Sequence, residues 1–259
     1  MEFSGIKDIA IYGTDCIADI SVGKGECVEF VSAKEKYFDI TTDDGTLTVR
    51  QKSRNFFYRI ILHRIEFKLT IPESFKGKLR FRNKNGGVYL DGGKFTEVEL
   101  STDNGKFEIK GAACDNLHLK LSNGSVTAKN LTVGNGAAIK CRNGTVKVES
   151  VSSPALTIFS KNAALTAIDV KADKLECQTS NGTIDASGVT ADELRLETSN
   201  GKIVASPLGD RNDYKLTIDA DHGSITVDGV AYKKLADATH LSKRLSARTA
   251  NGDIDIRFM

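Results

Sequence analysis

The side chains of this sequence that could bind a metal ion or perform acid–base chemistry are scattered along the chain. The four histidines, His63, His118, His222 and His240, form no pair at the spacing of metal ligands on a helix or strand. No GxSxG, P-loop or GxGxxG motif stands between a strand and a helix, where such motifs work. The sequence therefore predicts no catalytic residue, no cofactor or cofactor-binding residue, and no metal ligand.

The five cysteines are also widely spaced, and no CxxC pair indicates a zinc or redox site: Cys16, Cys27, Cys114, Cys141 and Cys177. Because their number is odd, at least one thiol is unpaired, which favours a reducing compartment. Cys141 and Cys177 fall at inward positions of the repeat described below. We predict that both are small buried core residues and not nucleophiles.

Clustered carboxylates on one face would indicate a polysaccharide-cleaving β-helix enzyme, which needs them for acid–base catalysis or to hold Ca²⁺. The acidic residues here stand singly and alternate with lysine and arginine, as Asp185, Glu193 and Glu197 do. This pattern favours a solvated surface of mixed charge. A carbohydrate-active enzyme is kept as the alternative to a non-catalytic protein.

A short repeat organises most of the chain. An Asn-Gly pair or a variant of it recurs nine times at steps of 19 to 29 residues, at positions 85, 104, 123, 143, 162, 181, 200, 222 and 251. Apolar residues stand six and four positions before each of these residues, and three and five positions after it. This alternation predicts two half-buried strands, one on either side of each Asn-Gly corner, and a turn residue follows seven positions after the corner.

Two arrangements of these strands fit the alternation. In a β-solenoid each repeat is one coil and equivalent strands stack in parallel, whereas in an antiparallel meander each Asn-Gly pair is a type I′ hairpin. A type I′ turn needs positive φ at both central residues, for which Ala163 is poorly suited. The sequence thus favours an all-β, single-domain parallel β-solenoid (β-helix-like) of about nine 19-residue coils.

Constant spacing also suits coils in which equivalent asparagines stack into a hydrogen-bonded ladder along the axis. We expect the ladder amides to be buried. On that basis Asn181→Leu should lower the melting temperature.

The repeated pattern TSNGxIxAxxV resembles the bacterial DUF4097 family, whose members are often labelled "putative adhesin". The segments ITVDGVAYKK and LSARTANGDIDIRF are similar to the end of that domain, and RIEFKLTIPESFKGKLRFRNKNGGV is similar to its entry into the first coil. The resemblance implies a β-solenoid and an association with the bacterial cell envelope and its stress responses, and it implies no enzymatic residues. The chain departs from the pattern at Ala163 and His222.

The two ends of the repeat array need caps, since a stack of coils exposes sheet edges. We expect residues 1–75 to form a cap of irregular strands and residues 76–259 to form the repeat region of the same domain, with a basic insertion near 232–244. The apolar and basic segment Arg54 to Arg64 is interpreted as a capping strand. A membrane-surface contact through this segment is the alternative.

The composition, with 40% apolar and 27% charged residues and a net charge of +2, is that of a globular protein and argues against nucleic-acid binding. No signal peptide or transmembrane segment is recognisable, so a cytoplasmic location is favoured over the cell surface. We predict a non-catalytic scaffold or interaction protein that binds an unidentified partner protein or an envelope glycan. A cytosolic regulatory partner of an envelope-stress system is a further alternative.

Overall fold

The computed structural model describes residues 1–53, 65–237 and 241–259. These residues are almost entirely β-strand, with 3₁₀-helices at Glu35–Tyr37 and Arg211–Asp213 and no α-helix in the described ranges. They form two compact units, Met1–Gly134 (unit 1) and Asn135–Met259 (unit 2). The all-β class predicted from the alternation is confirmed.

Unit 1 contains the first ten strands and the beginning of the eleventh: β1 (Glu2–Phe3), β2 (Asp8–Tyr12), β3 (Cys16–Gly23), β4 (Val28–Val31), β5 (Phe38–Asp43), β6 (Thr46–Gln51), β7 (Ile65–Pro72), β8 (Lys78–Asn85), β9 (Gly87–Asp91), β10 (Lys94–Lys110) and β11 (Ala113–Ser152). Unit 2 contains the rest of β11 and ten further strands: β12 (Ala155–Ile168), β13 (Lys171–Asn181), β14 (Ile184–Asn200), β15 (Ile203–Pro207), β16 (Tyr214–His222), β17 (Ile225–Val227), β18 (Val230–Tyr232), β19 (Leu235–Ala236), β20 (Lys243–Asn251) and β21 (Ile254–Ile256). Long strands such as β10 continue through an Asn-Gly corner and so include both arms of one coil.

Equivalent positions of successive repeats lie side by side in parallel strands. In unit 2, Leu175 pairs with Leu194 and Asn181 pairs with Asn200. In unit 1, β10 and β11 show the same register of one whole repeat. A meander of hairpins would pair these strands antiparallel, so the predicted parallel β-solenoid is confirmed.

The inward columns form the core of each unit. In one repeat of unit 2, Leu194, Leu196, Ile203 and Ala205 are each at most 1% exposed. Each side chain stacks on its equivalent in the next coil, about 4.8 Å away, and burying a Leu or Ile contributes about 1.5–3 kcal/mol. The apolar positions predicted from the repeat are therefore the residues that hold the coils together.

A threonine column lies inside the coils, two positions before the corner asparagines. Thr179, Thr198 and Thr249 are each at most 5% exposed. Their hydroxyls donate to the corner carbonyls of residues 163, 182 and 201 in the preceding coil, over 3.0–3.2 Å. Each buried hydroxyl thus satisfies a carbonyl of the neighbouring corner, which adds a specific link between coils.

The turn seven positions after the asparagine adopts the left-handed backbone conformation. The angle φ is 54° at Asn130, 54° at Ser150 and 52° at Asp169, and it is also positive at Gly92, Gly111 and Gly188. Glycine enters this region without steric cost, and Asn and Asp tolerate it better than other side chains. The turn residues of this column are therefore selected by backbone geometry.

At the start of unit 1, the order of the strands in space differs from their order in the chain. The coil formed by β2 and β3 pairs in parallel with β6 and β7 on one side and with β8 and β9 on the other. The antiparallel strands β5 and β4 pair with the outer edges of β6 and β7. The first regular strands of the chain are thus held inside the stack.

At the end of unit 2, the last repeat is inserted in the same manner. Strands β20 and β21 lie between β14 and β15 on one side and β16 and β17 on the other. The antiparallel strands β18 and β19 pair with β17 and β16. The outermost coil of this unit is therefore the one at 214–227, although it precedes the last repeat in the chain.

The segment Arg54 to Arg64, interpreted as a cap or a membrane contact, lies outside the described residues, as do His63 and His240. Both interpretations of this segment stay predictions. The division at residues 75 and 76 and the number of coils also stay predictions.

Candidate interaction surface

The corner asparagines form a ladder of side-chain hydrogen bonds in each unit, as predicted. In unit 2 each Nδ2 donates to the Oδ1 one coil away over 2.7–2.8 Å, along the series Asn251, Asn200, Asn181, Asn162 and Asn143. In unit 1, Asn123 donates to Asn104 and Asn104 donates to Asn85, each over 2.9 Å. Asn85 in turn donates to the carboxylate of Asp15 over 2.8 Å. The amide dipoles of each ladder therefore point the same way along the stack.

The ladder lies at the surface, so the expectation of buried amides is wrong. Asn162, Asn181 and Asn200 are all exposed. A primary amide has two N–H donors and two acceptor lone pairs, and a ladder uses only one of each. The remaining groups need water or a ligand, and a surface position provides this without a desolvation penalty.

The glycines after Asn181 and Asn200 approach the neighbouring coil closely. A Cβ at Gly201 would lie 2.1 Å from the carbonyl oxygen of Gly182, and a Cβ at Gly182 would lie 2.0 Å from that of Ala163. At the equivalent corner position, Ala163 has a φ outside the positive range and a methyl group that is buried, at 2% exposure. The departure from Asn-Gly at this position is thus accommodated locally.

Beside the ladder, unit 2 exposes four residues that we call the cationic patch: Lys140, Arg142, Phe159 and Lys161. Lys140 and Phe159 are paired across the parallel strands β11 and β12, and Arg142 and Lys161 follow two positions further along the same strands. All four are exposed, and Phe159 is 44% exposed. Phe159 is the only exposed aromatic side chain among the described residues of unit 2.

The three cations of the patch have no carboxylate within 4.0 Å in the part of the chain that the structure describes. Elsewhere on unit 2 some cations are paired, as Lys174 is with Glu193 at 3.1 Å and Arg195 is with Glu197 at 2.8 Å. The patch is therefore a local cluster of positive charge with no carboxylate beside it. Such a cluster attracts anions in a salt-dependent way.

The carboxylates of the faces are held by guanidinium groups. In unit 1, Glu99 accepts hydrogen bonds from Arg80 at 2.7 Å and from Arg82 at 2.9 Å. Burial alone would raise the pKa of Glu99, but the hydrogen bonds from the two arginines outweigh burial and lower this pKa. In unit 2, the hydrogen bond to Glu197 raises the pKa of Arg195. The two arginines therefore favour the charged form of Glu99.

The cysteines singled out from the sequence lie in the core, as predicted. Cys141 and Cys177 are each 1% exposed. Burial raises the pKa of both thiols, to about 12 for Cys177. None of the five cysteines forms a disulfide.

The histidines are not brought together by the fold in the part that the structure describes. His118 is exposed in unit 1, and His222 is exposed in unit 2, where it pairs in register with Asn251. Across the described ranges, no three His, Cys, Asp or Glu side chains are grouped as metal ligands.

The cationic patch was missed by the sequence reasoning, although its signal is present there. Two successive repeats place cations at outward positions just before the asparagine, and Phe159 stands in an outward column. An apolar aromatic residue in a column of polar residues is the feature that could have identified it. Because Phe159 occurs in one repeat only, a comparison of the repeats does not identify it.

Within the described residues, no helix is long and apolar enough to cross a membrane. Searching the curated proteins gives no significant match to this chain.

Three crystal structures are similar to the chain over its whole length at low identity. A "putative cell adhesion protein" from Clostridium sporogenes is 12% identical, with 100% of this chain and 97% of the other covered and a TM-score of 0.26. A "putative adhesin" from Bacteroides fragilis is 15% identical, with 100% and 94% covered and a TM-score of 0.40. A "putative adhesin" from Parabacteroides merdae is 10% identical, with 100% and 94% covered and a TM-score of 0.39.

The family model described as Toastrack DUF4097 matches residues 6–257, which is nearly the whole chain. This match agrees with the parallel coils found in both units. The chain therefore belongs to the Toastrack DUF4097 family.

Proposed function

We propose that this protein is a non-catalytic scaffold or interaction protein, adhesin-like in its role, that binds a polymer or partner of the cell envelope through the outward faces of its coils. The observation that carries the proposal is the cationic patch. Lys140, Arg142 and Lys161 have no ion pair among the described residues and lie beside an exposed Phe159. Exposed aromatic and unpaired basic side chains are typical of recognition surfaces.

The arrangement of acidic groups supports a non-catalytic role. A retaining or inverting glycosidase needs two carboxyl groups that face a sugar from opposite sides and differ in pKa. Here Glu176 and Glu197 both contact Arg195, at 3.8 and 2.8 Å, so the arginine occupies the space between them. The carbohydrate-active enzyme predicted as an alternative would be supported by release of reducing ends from cell-wall glycans.

A cytosolic regulatory partner of an envelope-stress system is the second candidate, and the lack of disulfides among the cysteines favours it. None of the five cysteines forms a disulfide, whereas oxidising compartments favour disulfides. Four of the five are buried, so burial could also protect them outside the cell. The location of the native protein decides between the two candidates.

The test is to fractionate cells that produce the protein and to treat intact cells with protease before immunoblotting. Loss of the signal from intact cells, with a cytosolic marker protein retained, is the result expected for the adhesin-like role. Protection of the protein in the soluble fraction would overturn that role in favour of the cytosolic partner.

A further inference from the structure

We propose that the cationic patch binds an acidic polysaccharide, with Phe159 stacking on one sugar ring and Lys140, Arg142 and Lys161 binding the carboxylate or other anionic groups beside it. This inference rests on the proposed function and specifies its ligand class. It follows from the geometry, the charge and the hydrogen-bonding capacity of the patch.

The spacing of the patch suits a chain with regularly repeated anionic groups. Paired residues on neighbouring coils, such as Lys140 and Phe159, are about 4.8 Å apart, and alternate residues of one strand, such as Lys140 and Arg142, are about 6.6 Å apart. The cations therefore lie on two adjacent sides of the phenyl ring, at distances comparable to the length of one sugar residue. A ring that stacks on Phe159 brings its own substituents and those of its neighbours within reach of all three charges.

The asparagine ladder supplies the neutral hydrogen bonds that a glycan needs. Asn162 directly follows Lys161 in β12, and Asn181 occupies the equivalent position at the end of β13. Both asparagines are exposed beside the patch. Each Nδ2 donates one N–H to the ladder, to Asn143 and Asn162 respectively, and retains a second N–H. Sugar hydroxyls and ring oxygens accept such bonds. The combination of amides, cations and one aromatic face matches a hydroxylated anionic polymer.

Single-stranded nucleic acid fits the same surface less well. Proteins that bind it stack successive bases on several aromatic side chains along a basic groove. In unit 2, Phe159 is the only exposed aromatic among the described residues, and the next coil presents Gln178 at the paired position. One aromatic platform suits one sugar ring. An anionic membrane would require several apolar anchors around the charges, which the four residues of the patch do not supply.

The experiment measures binding of the purified full chain to polygalacturonate and to fully methyl-esterified polygalacturonan, which has the same backbone without charge. The variants are Phe159→Ala and the double variant Arg142→Gln/Lys161→Gln. The matched control is Lys171→Gln, which removes an exposed cation of β13 outside the patch. A thermal melt of each variant verifies that it is folded. Oligo-dT and phosphatidylglycerol vesicles are tested in parallel.

We expect polygalacturonate to bind and the methyl ester to bind roughly tenfold more weakly or worse. Each patch variant should weaken polygalacturonate binding by roughly tenfold, and the control should change it by less than about twofold. Raising the ionic strength from about 0.01 M to about 1 M shortens the Debye length from about 30 Å to about 3 Å and should abolish the preference for the charged polymer.

Equal binding of both polymers, or binding that the patch variants leave unchanged, would overturn the ligand class and the site while the proposed interaction role stands. Tighter binding to oligo-dT or to vesicles would also overturn the ligand class. Failure to bind either polymer, by a protein that intact-cell proteolysis places outside the cell, would overturn this inference alone. Protection from protease in the soluble fraction would overturn the proposed function itself.

Discussion

Asn251 Nδ2 donates a hydrogen bond of 2.8 Å to Asn200 Oδ1, although the two residues are 51 positions apart in the chain. Every other step of the ladder in unit 2 joins residues 19 positions apart. The bond forms because β20 is inserted between β14 and β16. The last repeat therefore stabilises the coil at 214–227, which precedes it in the chain. The coil at 214–227 has no other parallel neighbour among the described strands.

Deletion of residues 243–259 should therefore unfold more than the deleted coil. Removing β20 and β21 leaves β16 and β17 paired only with the short antiparallel strands β19 and β18. We expect amide hydrogen exchange at 214–227 to become fast, while β12 and β13 keep their protection. The variant Leu235→Ala, in β19, is the control and should affect exchange only locally. Retained protection of β16 in the deletion variant would contradict the inserted order.

Asn181→Leu should lower the melting temperature only modestly, because the ladder is exposed. The substitution removes the hydrogen bonds of Asn181 with Asn162 and Asn200, and water can satisfy the amides that remain. We expect a loss of about 0.5–1.5 kcal/mol of unfolding free energy. Asn135→Leu makes the same change at an exposed asparagine outside the ladder and should be close to neutral. Equal effects of the two substitutions, measured by thermal or chemical unfolding, would show that the ladder adds no stability.

Gly201→Ala should be far more damaging, even though it adds a single methyl group. The new Cβ would lie 2.1 Å from the carbonyl oxygen of Gly182, so the two coils would have to separate. We expect a loss of about 2 kcal/mol or more. Gly136→Ala is the matched control, since its Cβ would lie 3.4 Å from the nearest atom, the carbonyl oxygen of Ala155. Urea titrations that place both variants within error of the parent protein would rule out this account of the corner glycine.

The sequence predicts which residues occupy equivalent positions in each coil better than it predicts the order in which the coils stack. The apolar positions and the ladder are set by strand periodicity and constant spacing, which are local properties. The stacking order is not local, because Leu194 can stack on Leu216 as well as on Leu245, its actual neighbour. Because the coils have similar residues at equivalent positions, any two of them could stack. The residue types therefore do not reveal that the last repeat is inserted. The exposure of the ladder was also missed, because the backbone bends at the corner and interrupts the alternation.

Ser150→Gly should stabilise unit 2. Ser150 has φ of 54°, a left-handed conformation that costs a side chain such as serine about 1 kcal/mol and costs glycine almost nothing. Equivalent turns use Gly111 and Gly188, so the coil accepts glycine there. Ser152→Gly, two residues later in the same strand, is the control and should destabilise by about 0.5–1 kcal/mol. Thermal unfolding in which both variants shift in the same direction would exclude strain at Ser150.

Glu99→Gln should destabilise unit 1 at neutral pH, and the effect should disappear in acid. Burial pushes the pKa of Glu99 upward, but Arg80 and Arg82 outweigh it and hold this pKa below its usual value. A carboxyl group with a lowered folded-state pKa contributes stability that is present above its unfolded pKa, about 4.5, and is lost as the pH falls through the folded value. The difference in melting temperature between the parent and the variant should therefore shrink below about pH 4.5.

The control for this comparison is Asp103→Asn, which removes an exposed carboxylate that has no ion pair among the described residues. Its effect on the melting temperature should be small at every pH. High salt should reduce the effect of Glu99→Gln, since the ion pairs with Arg80 and Arg82 are partly solvent-exposed. A difference for Glu99→Gln that stays constant from pH 7 to pH 3 would mean that the side chain acts through packing, and that its charge contributes nothing to the stability of the coil.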